Sequence, residues 1–350
     1  MPMEVIPYSP SLRDKWDAFV SDHEYAWVGH YSVNFELERE FGGDNISCLV
    51  VDDRHNIVGI LPLFLFEKRI LKKTITLRSI RSGTSLRNGP LFIESLSDKQ
   101  KREALDLLVQ HLLVIARASK VDDIHISYPV MHGDKTCLEH YGYLPLKKYG
   151  FVEENVVSMV KDLRSDDKTL LTSFKQNCQK KIRQCVEEGG EYVDALDRAQ
   201  WMDCYDLNVQ TFSAGNTAPY TRKALEILWD NFVETGLAEV TAIRFKGKII
   251  SVVITAVRKN SCYPWIAFNC KPAPIPGANN LLEWKNMLHF KERGVEYYEI
   301  GSREFDDNKQ IHISMFKESF QGRDTYCLDG KLVLRPIKES LLRMVSLLRK

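Results

Sequence analysis

The chain has 350 residues, 44% hydrophobic and 27% charged, with a net charge of +1. That length suits two domains, each able to bury its own core, and the balance is that of an ordinary globular protein rather than a disordered or fibrous one. The opening Met1-Pro2-Met3-Glu4-Val5-Ile6-Pro7 lacks the basic start and apolar run of a secretory signal, and the longest apolar stretch, residues 60–66, is strand-sized.

In chain order, residues 4–8 read as a strand and 12–20 as a helix carrying Trp16 and Phe19. Residues 46–51 and 57–66 are predicted strands around an Asp52-Asp53-Arg54-His55-Asn56 turn, and 73–80 continue that sheet. A loop of small polar residues and breakers follows (82–90), then an amphipathic helix over 98–118 and a strand over 123–127. Residues 170–189 are predicted to form a basic helix bearing Lys175, Lys180, Lys181 and Arg183. The order then repeats: strands at 238–245, 249–257 and 262–269, a breaker-rich loop at 271–277, a long helix and a strand. The division is expected as residues 1–162 and 163–335, with 336–350 a basic amphipathic C-terminal helix. Packing on the second domain and docking at a membrane are the two readings of that helix.

Charge is unevenly spread. Seven basic residues (Lys68, Arg69, Lys72, Lys73, Arg78, Arg81, Arg87) and no acid lie between Lys68 and Asn88, and removing them takes the net charge to −6. Such a stripe suits a phosphate, a nucleotide or RNA, or else a solvated strand face that discourages edge pairing. The eight cysteines form no CxxC pair, so neither a zinc site nor a disulfide framework is expected, and reduced thiols in a cytoplasmic setting are the default.

The stretch from Pro276 to Phe320 organises the rest. It runs Pro276-Gly277-Ala278-Asn279-Asn280-Leu281-Leu282-Glu283-Trp284, then a helix stopping at Gly294, a strand containing Tyr298-Glu299-Ile300-Gly301-Ser302, and Phe316-Lys317-Glu318-Ser319-Phe320. Leu281, Trp284 and Leu288 share one helical face. Ile311, Met315 and Phe316 stack at helical spacing, with Lys317 at the edge of that face. This pattern resembles the C-terminal signature of the FemAB-type transferases and CelD-like acyltransferases, within the GNAT (Gcn5-related N-acyltransferase) superfamily. Glu299 stands where that family has Asp, Ser302 replaces a Gly, and Gln321 precedes Gly322. The resemblance is strong over the last third and weak over the middle. It implies an α/β (α+β) fold of two tandem GNAT-like domains, each a mixed, mostly antiparallel sheet flanked by helices.

The resemblance also implies roles. Lys317 matches the lysine placed at the reaction centre. The run Lys180-Lys181-Ile182-Arg183, ahead of Gly189, resembles the basic helix that holds a phosphate, and a guanidinium at Arg183 suits bidentate oxygen geometry. Tyr298 and Glu299 are candidates for base or orienter. Asn279 and Asn280 open the helix, where Asn279 is expected as a cap; Arg81 and Arg87 are further substrate-binding candidates. The glycine-rich turn usual for acetyl-CoA is lacking in both halves. Acyl transfer from an activated donor needs alignment, an oxyanion stabiliser and a proton acceptor, without a metal. That accords with a chain in which no Ser-His-Asp, HExxH, Walker or GxGxxG arrangement is found.

The expectation is an acyltransferase acting on an amine of a cell-envelope polysaccharide, or of a nucleotide- or lipid-linked sugar precursor. The donor is acyl-CoA, with aminoacyl-tRNA and a peptidoglycan precursor as the alternative; no long heptad run supplies a helical arm to grip a tRNA. A non-catalytic polysaccharide-assembly protein and an RNA-binding protein are the readings from other classes. Expected partners are a phosphate-bearing small molecule or lipid-linked sugar, with tRNA and a peripheral contact at the inner face of the membrane as further candidates.

Overall fold

The structure, a computed structural model, describes residues 2–70, 75–154, 156–213, 217–303 and 308–336. The expected C-terminal helix and the stripe residues Lys72 and Lys73 lie outside them. Two compact units are present: the described residues before 156 with those after 326, and residues 156–326. This differs from the division read from the sequence at 162/163 and 335/336. The strand Val157–Asp162 pairs within the second unit, and the strand Asp329–Val333 pairs within the first. Sheet hydrogen bonding, rather than the polar segment at 162–167, sets the boundary.

The first unit opens with β1 (Met3–Pro7), α1 (Arg13–Asp22) and α2 (Asn34–Glu40). Strands β2 (Cys48–Asp52) and β3 (Ile57–Leu61) form the expected hairpin against β1. The predicted strand over 57–66 is interrupted at Pro62, which has no N–H for the ladder, and resumes as β4 (Phe64–Ile70), paired with β5 (Ile75–Arg81). Helix α3 (Asp98–Ala118) occupies the predicted span. Its Leu105, Leu108 and Leu112 pack on Val50, Val58, Ile124 and Ile126. Next come β6 (Asp123–Ser127), α4 (Cys137–Tyr141) and β7 (Val152–Glu154).

The second unit begins with β8 (Val157–Asp162), α5 (Asp167–Ser173) and α6 (Gln176–Glu187). The single helix predicted over 170–189 is two helices, because Phe174 is extended (φ −70°, ψ 153°) and turns its ring edge-on to Trp284 and Phe320. After β9 (Glu191–Val193), three helices not foreseen from the sequence follow: α7 (Arg198–Asp203), α8 (Tyr205–Ser213) and α9 (Arg222–Leu228). Strands β10 (Ala238–Phe245), β11 (Lys248–Arg258) and β12 (Ser261–Asn269) precede α10 (Ala278–Glu292), β13 (Tyr297–Arg303), α11 (Asn308–Glu318) and β14 (Arg323–Tyr326). The strand Asp329–Val333, β15, returns to the first unit between β6 and β7. The second sheet has the order β9-β10-β11-β12-β13-β8-β14.

Both units are built on mostly antiparallel sheets flanked by helices, as expected. The first, however, divides its strands between an antiparallel four-stranded sheet that includes β1, β2 and β3 and a mixed six-stranded one that includes β4, β5 and β6, so residues 75–81 do not continue the first hairpin's sheet. In each unit, the strands before and after the long helix are the parallel pair: β5 with β6, and β12 with β13. Helix α10 is buried on several sides (Leu281, Leu282, Trp284, Met287, Phe290) between the sheet and the Cys178–Ile182–Cys185 face of α6. On α11 the expected stacking is not observed. Met315 is 58% exposed, whereas Ser314 is buried, Phe316 packs on the core and Lys317 is half-buried, so Met315 leaves the expected stack and α11 meets β13 through its inner side. A small Ser at the contact lets helix and strand approach, which turns Lys317 inward.

Candidate active site

The site begins where a ladder stops. Strands β12 and β13 are paired only at Ser261↔Tyr297 and Cys262↔Tyr298. Beyond that point β12 stays with β11 and β13 with β8, so the sheet splits. A split between parallel strands at their C-terminal ends, with a helix starting nearby, is where open α/β sheets receive ligands.

Three side chains converge there. Lys317, half-buried in the last turn of α11, donates from Nζ to the Ser302 carbonyl at 2.7 Å. Gly301 makes room for it: its φ is +101°, and a Cβ there would lie 3.0 Å from Lys317 Nζ and 3.3 Å from the Tyr263 ring. Tyr298 is fully buried and donates its hydroxyl to Glu283 Oε2 at 2.6 Å. Burial, then the neighbouring Glu283 charge, pushes the Tyr298 phenol well above its ordinary range, so it remains a donor. Behind it Asn286 accepts from Thr241 Oγ1 (2.6 Å) and Tyr192 Oη (3.0 Å), which fixes the network to β10 and β9.

Glu283 was not singled out by the sequence reading. It is half-buried as a residue, yet its carboxyl is crowded by protein. Loss of hydration raises its pKa to about 7, against the smaller opposing effects of Tyr298 and the Lys317 charge. A carboxylate poised near neutrality next to a cation is suited to proton transfer. The available sequence signal was an acid within an otherwise inward-facing Leu-Leu-x-Trp run. Lys161 was also missed. It is 6% exposed and donates to Ser173 Oγ (2.6 Å) and to the Phe320 and Gln321 carbonyls (both 3.1 Å). It therefore ties β8 and α5 to the chain just after α11, holding the helix that carries Lys317.

Of the expected residues, Lys317 and Tyr298 are brought together with Glu283. Glu299 is 9% exposed and accepts from Ser158 Oγ at 2.8 Å, joining β13 to β8. Asn279 does not cap α10. The N-cap is Gly277 (φ +76°), without a side-chain cap bond, and Asn279 Oδ1 accepts from Ser251 Oγ at 2.9 Å. Asn280 is buried and donates to Cys178 Sγ at 3.4 Å. Both Asn side chains thus join α10 to its neighbours. A Cβ on Gly277 would lie 2.2 Å from the Lys181 carbonyl, so α6 crosses directly over the start of α10. Lys180, Lys181 and Arg183 are exposed on α6, and the uncapped N–H groups of α10 begin beside the Lys181 backbone, an arrangement that favours an anion.

In the first unit the basic stripe is largely engaged. Arg69 and Arg78 both reach Glu67, Arg81 donates to Ser79 and stands 5.9 Å from the Phe66 ring, and Arg87 pairs with the buried Asp329 at 2.9 Å. Among the described residues no group of three or more His, Cys, Asp or Glu is placed to hold a metal, and no helix is long and apolar enough to cross a membrane. None of the eight cysteines is in a disulfide, and seven are buried.

Residues 172–308 match the family model of the acetyltransferase (GNAT) domain, which covers α10, Glu283, Tyr298 and the basic residues of α6. The whole chain is similar in fold to solved structures. FemX has 16% identity and a TM-score of 0.68, with 97% of this chain and 99% of that one covered. The C-terminal domain of a putative lysylphosphatidylglycerol synthetase from Agrobacterium fabrum has 13% identity and a TM-score of 0.57, with 95% of each covered. A tandem GNAT protein from the clavulanic acid biosynthesis pathway has 12% identity and a TM-score of 0.56, covering 95% of this chain and 98% of that one. A comparison with curated proteins gives no match. Residues 172–308 thus carry a GNAT-type acetyltransferase domain, which defines the class as an acyltransferase, and the chain as a whole shares its fold with FemX and with a tandem GNAT protein.

Proposed function

We propose that the second unit moves an acyl group from a thioester donor of the acyl-CoA type to an amine of a cell-envelope saccharide or of its nucleotide- or lipid-linked precursor. The observation that carries this reading is the Glu283–Tyr298 pair beside Lys317 at the split between β12 and β13. In the step, the amine nitrogen forms a bond to the donor carbonyl carbon and gives a proton to the Glu283 carboxylate. Lys317 stabilises the negative charge gathering on the carbonyl oxygen. The carbon–sulfur bond then breaks, and the thiolate leaves with a proton returned from Glu283. Tyr298 holds Glu283 in place. The donor's phosphates lie at the uncapped start of α10, within reach of α6 and its Lys180, Lys181 and Arg183. A lipid-linked acceptor would bring the protein to the inner face of the membrane.

Aminoacyl-tRNA is the second donor reading. It is favoured by the exposed cations of α6 and by neighbours in fold such as FemX and a lysylphosphatidylglycerol synthetase. Transfer to amino sugars is assayed by product mass with acetyl-CoA and with charged tRNA, before and after ribonuclease. Thioester-dependent product that survives ribonuclease is expected. Product that appears only with charged tRNA and is lost on ribonuclease treatment overturns the thioester donor.

A further inference from the structure

The first unit carries a cavity of about 340 Å³, at the small end of the ~300–1,000 Å³ usual for small-molecule sites. Its walls are rings. Tyr25 lies 6.1 Å from His140 and tilted to it by 36°, and His140 stands edge-on to Tyr141 at 4.5 Å. The wall is firmly built. The Tyr25 N–H donates to His23 Nδ1 (3.1 Å), which leaves the proton on Nε2 to be donated to the Phe92 carbonyl (2.6 Å). Burial, followed by the charges of Lys101 and Lys135, lowers the His140 pKa, so this ring is neutral around pH 7.

The mouth differs from the walls. The exposed Glu94, Asp98 and Arg102 and the half-buried Lys101 form the charged part of the lining there. Among the described residues these four charges make no hydrogen bond or ion pair with the protein, although Asp98 stands three and four residues before Lys101 and Arg102 on α3. Two acids and two bases cancel, so the mouth draws neither a polyphosphate nor a cation. It offers separate acceptors (the carboxylates) and donors (the ammonium and guanidinium) around a ring-walled space. A ligand matching both parts is a ring with apolar faces and a hydroxyl edge. We propose that this cavity binds a sugar residue of an uncharged saccharide, which continues outward past Tyr143, a ring 65% exposed at the mouth.

The inference deepens the acceptor reading above, and it is tested by binding alone, so the two can fail separately. Calorimetry on the full chain uses cellotetraose and chitotetraose, with L-alanine as a zwitterionic probe and pyrophosphate as an anionic one. At least one tetrasaccharide should bind, and both Tyr143→Ala and Asp98→Asn should weaken it by at least ~10-fold. Both side chains are exposed, so their melts should stay native. The proposal is overturned if neither sugar binds at millimolar concentration, if both variants bind as the parent does, or if L-alanine or pyrophosphate displaces the sugar.

Discussion

The two units meet the same topological point in opposite ways. In the second, β12 and β13 part after two paired positions, and α10 starts from an uncapped Gly277. In the first, the seam between β5 and β6 stays closed past the end of β5. Ser82 N–H donates to the His125 carbonyl (3.0 Å), Ser127 N–H to Ser82 Oγ (3.0 Å), and Asn88 Nδ2 to the Ser82 carbonyl (3.0 Å). Helix α3 is sealed by a capping box between Ser97 and Gln100. An open seam with free helix N–H groups can admit a substrate carbonyl and an anion; a stitched seam with a capped helix cannot. On the proposed reading, the second unit performs the transfer and the first is left for another task.

The largest expected effect tests that division. Lys317→Ala should lower turnover by at least ~100-fold with a native melt, since it removes a charge acting on the transition state. Arg81→Ala, on the closed seam of the first unit, should leave turnover within about twofold, as expected of an exposed substitution away from the chemistry. Comparable losses in both variants would break the comparison.

Glu283→Gln comes next. In the parent, activity should rise as pH passes about 7, because the carboxylate form is the base. The Gln variant should lose that limb along with ~100-fold in rate. Its stability should move the opposite way. A carboxyl raised in the fold binds its proton more tightly there than in the unfolded chain, so parent stability falls between the unfolded value and about 7, and the Gln variant should lack that fall. A pH–rate limb unchanged in the variant removes Glu283 from the chemistry.

Helix starts give a third, smaller contrast. Ser97→Ala should cost the first unit about 1 kcal/mol, the usual worth of a cap. Gly277→Ala should cost more, roughly 2–3 kcal/mol, because it forces a left-handed residue to carry a Cβ against the Lys181 backbone. Denaturant midpoints measure both; equal losses would mean that α6 yields easily over the start of α10.

Legibility followed sequence distance. The spans of α3 and β6 were readable because Leu105, Leu108 and Leu112 repeat at helical spacing and the strand alternates. Lys317 was reachable through the Phe-Lys-x-x-Phe run. The exchange of β8 and β15 between units was not, because their partners lie far away in the chain and nothing local in Val157–Asp162 or Asp329–Val333 names them. Asn279 was misread because a cap is inferred from residue type, whereas here the left-handed φ of Gly277 places the N-cap two residues earlier. Glu283 was missed because its meaning depends on Tyr298 meeting it across the core.

The smallest effect belongs to the closed seam itself. His125, on β6, faces Asp123 (Nε2 to Oδ1, 3.2 Å) and Glu154 (Nδ1 to Oε2, 3.5 Å). Burial alone would lower its pKa, but the two carboxylates beside it outweigh that and raise it, while the same proximity lowers Asp123 and Glu154. The sign follows. A histidine raised in the fold stabilises fully below its unfolded value and loses that contribution as pH rises through the folded value; the two carboxylates lose theirs as pH falls through their own lowered values. The first unit should therefore be firmest in mildly acidic solution. All three groups keep partial contact with solvent, so the change should stay under ~1 kcal/mol. Melts of the parent and of His125→Gln from pH 5 to 9 measure it, with the difference between them expected to shrink as pH rises. A difference that instead grows with pH would mean that His125 is held neutral, and that the seam is closed by the Ser82 and Ser127 bonds alone.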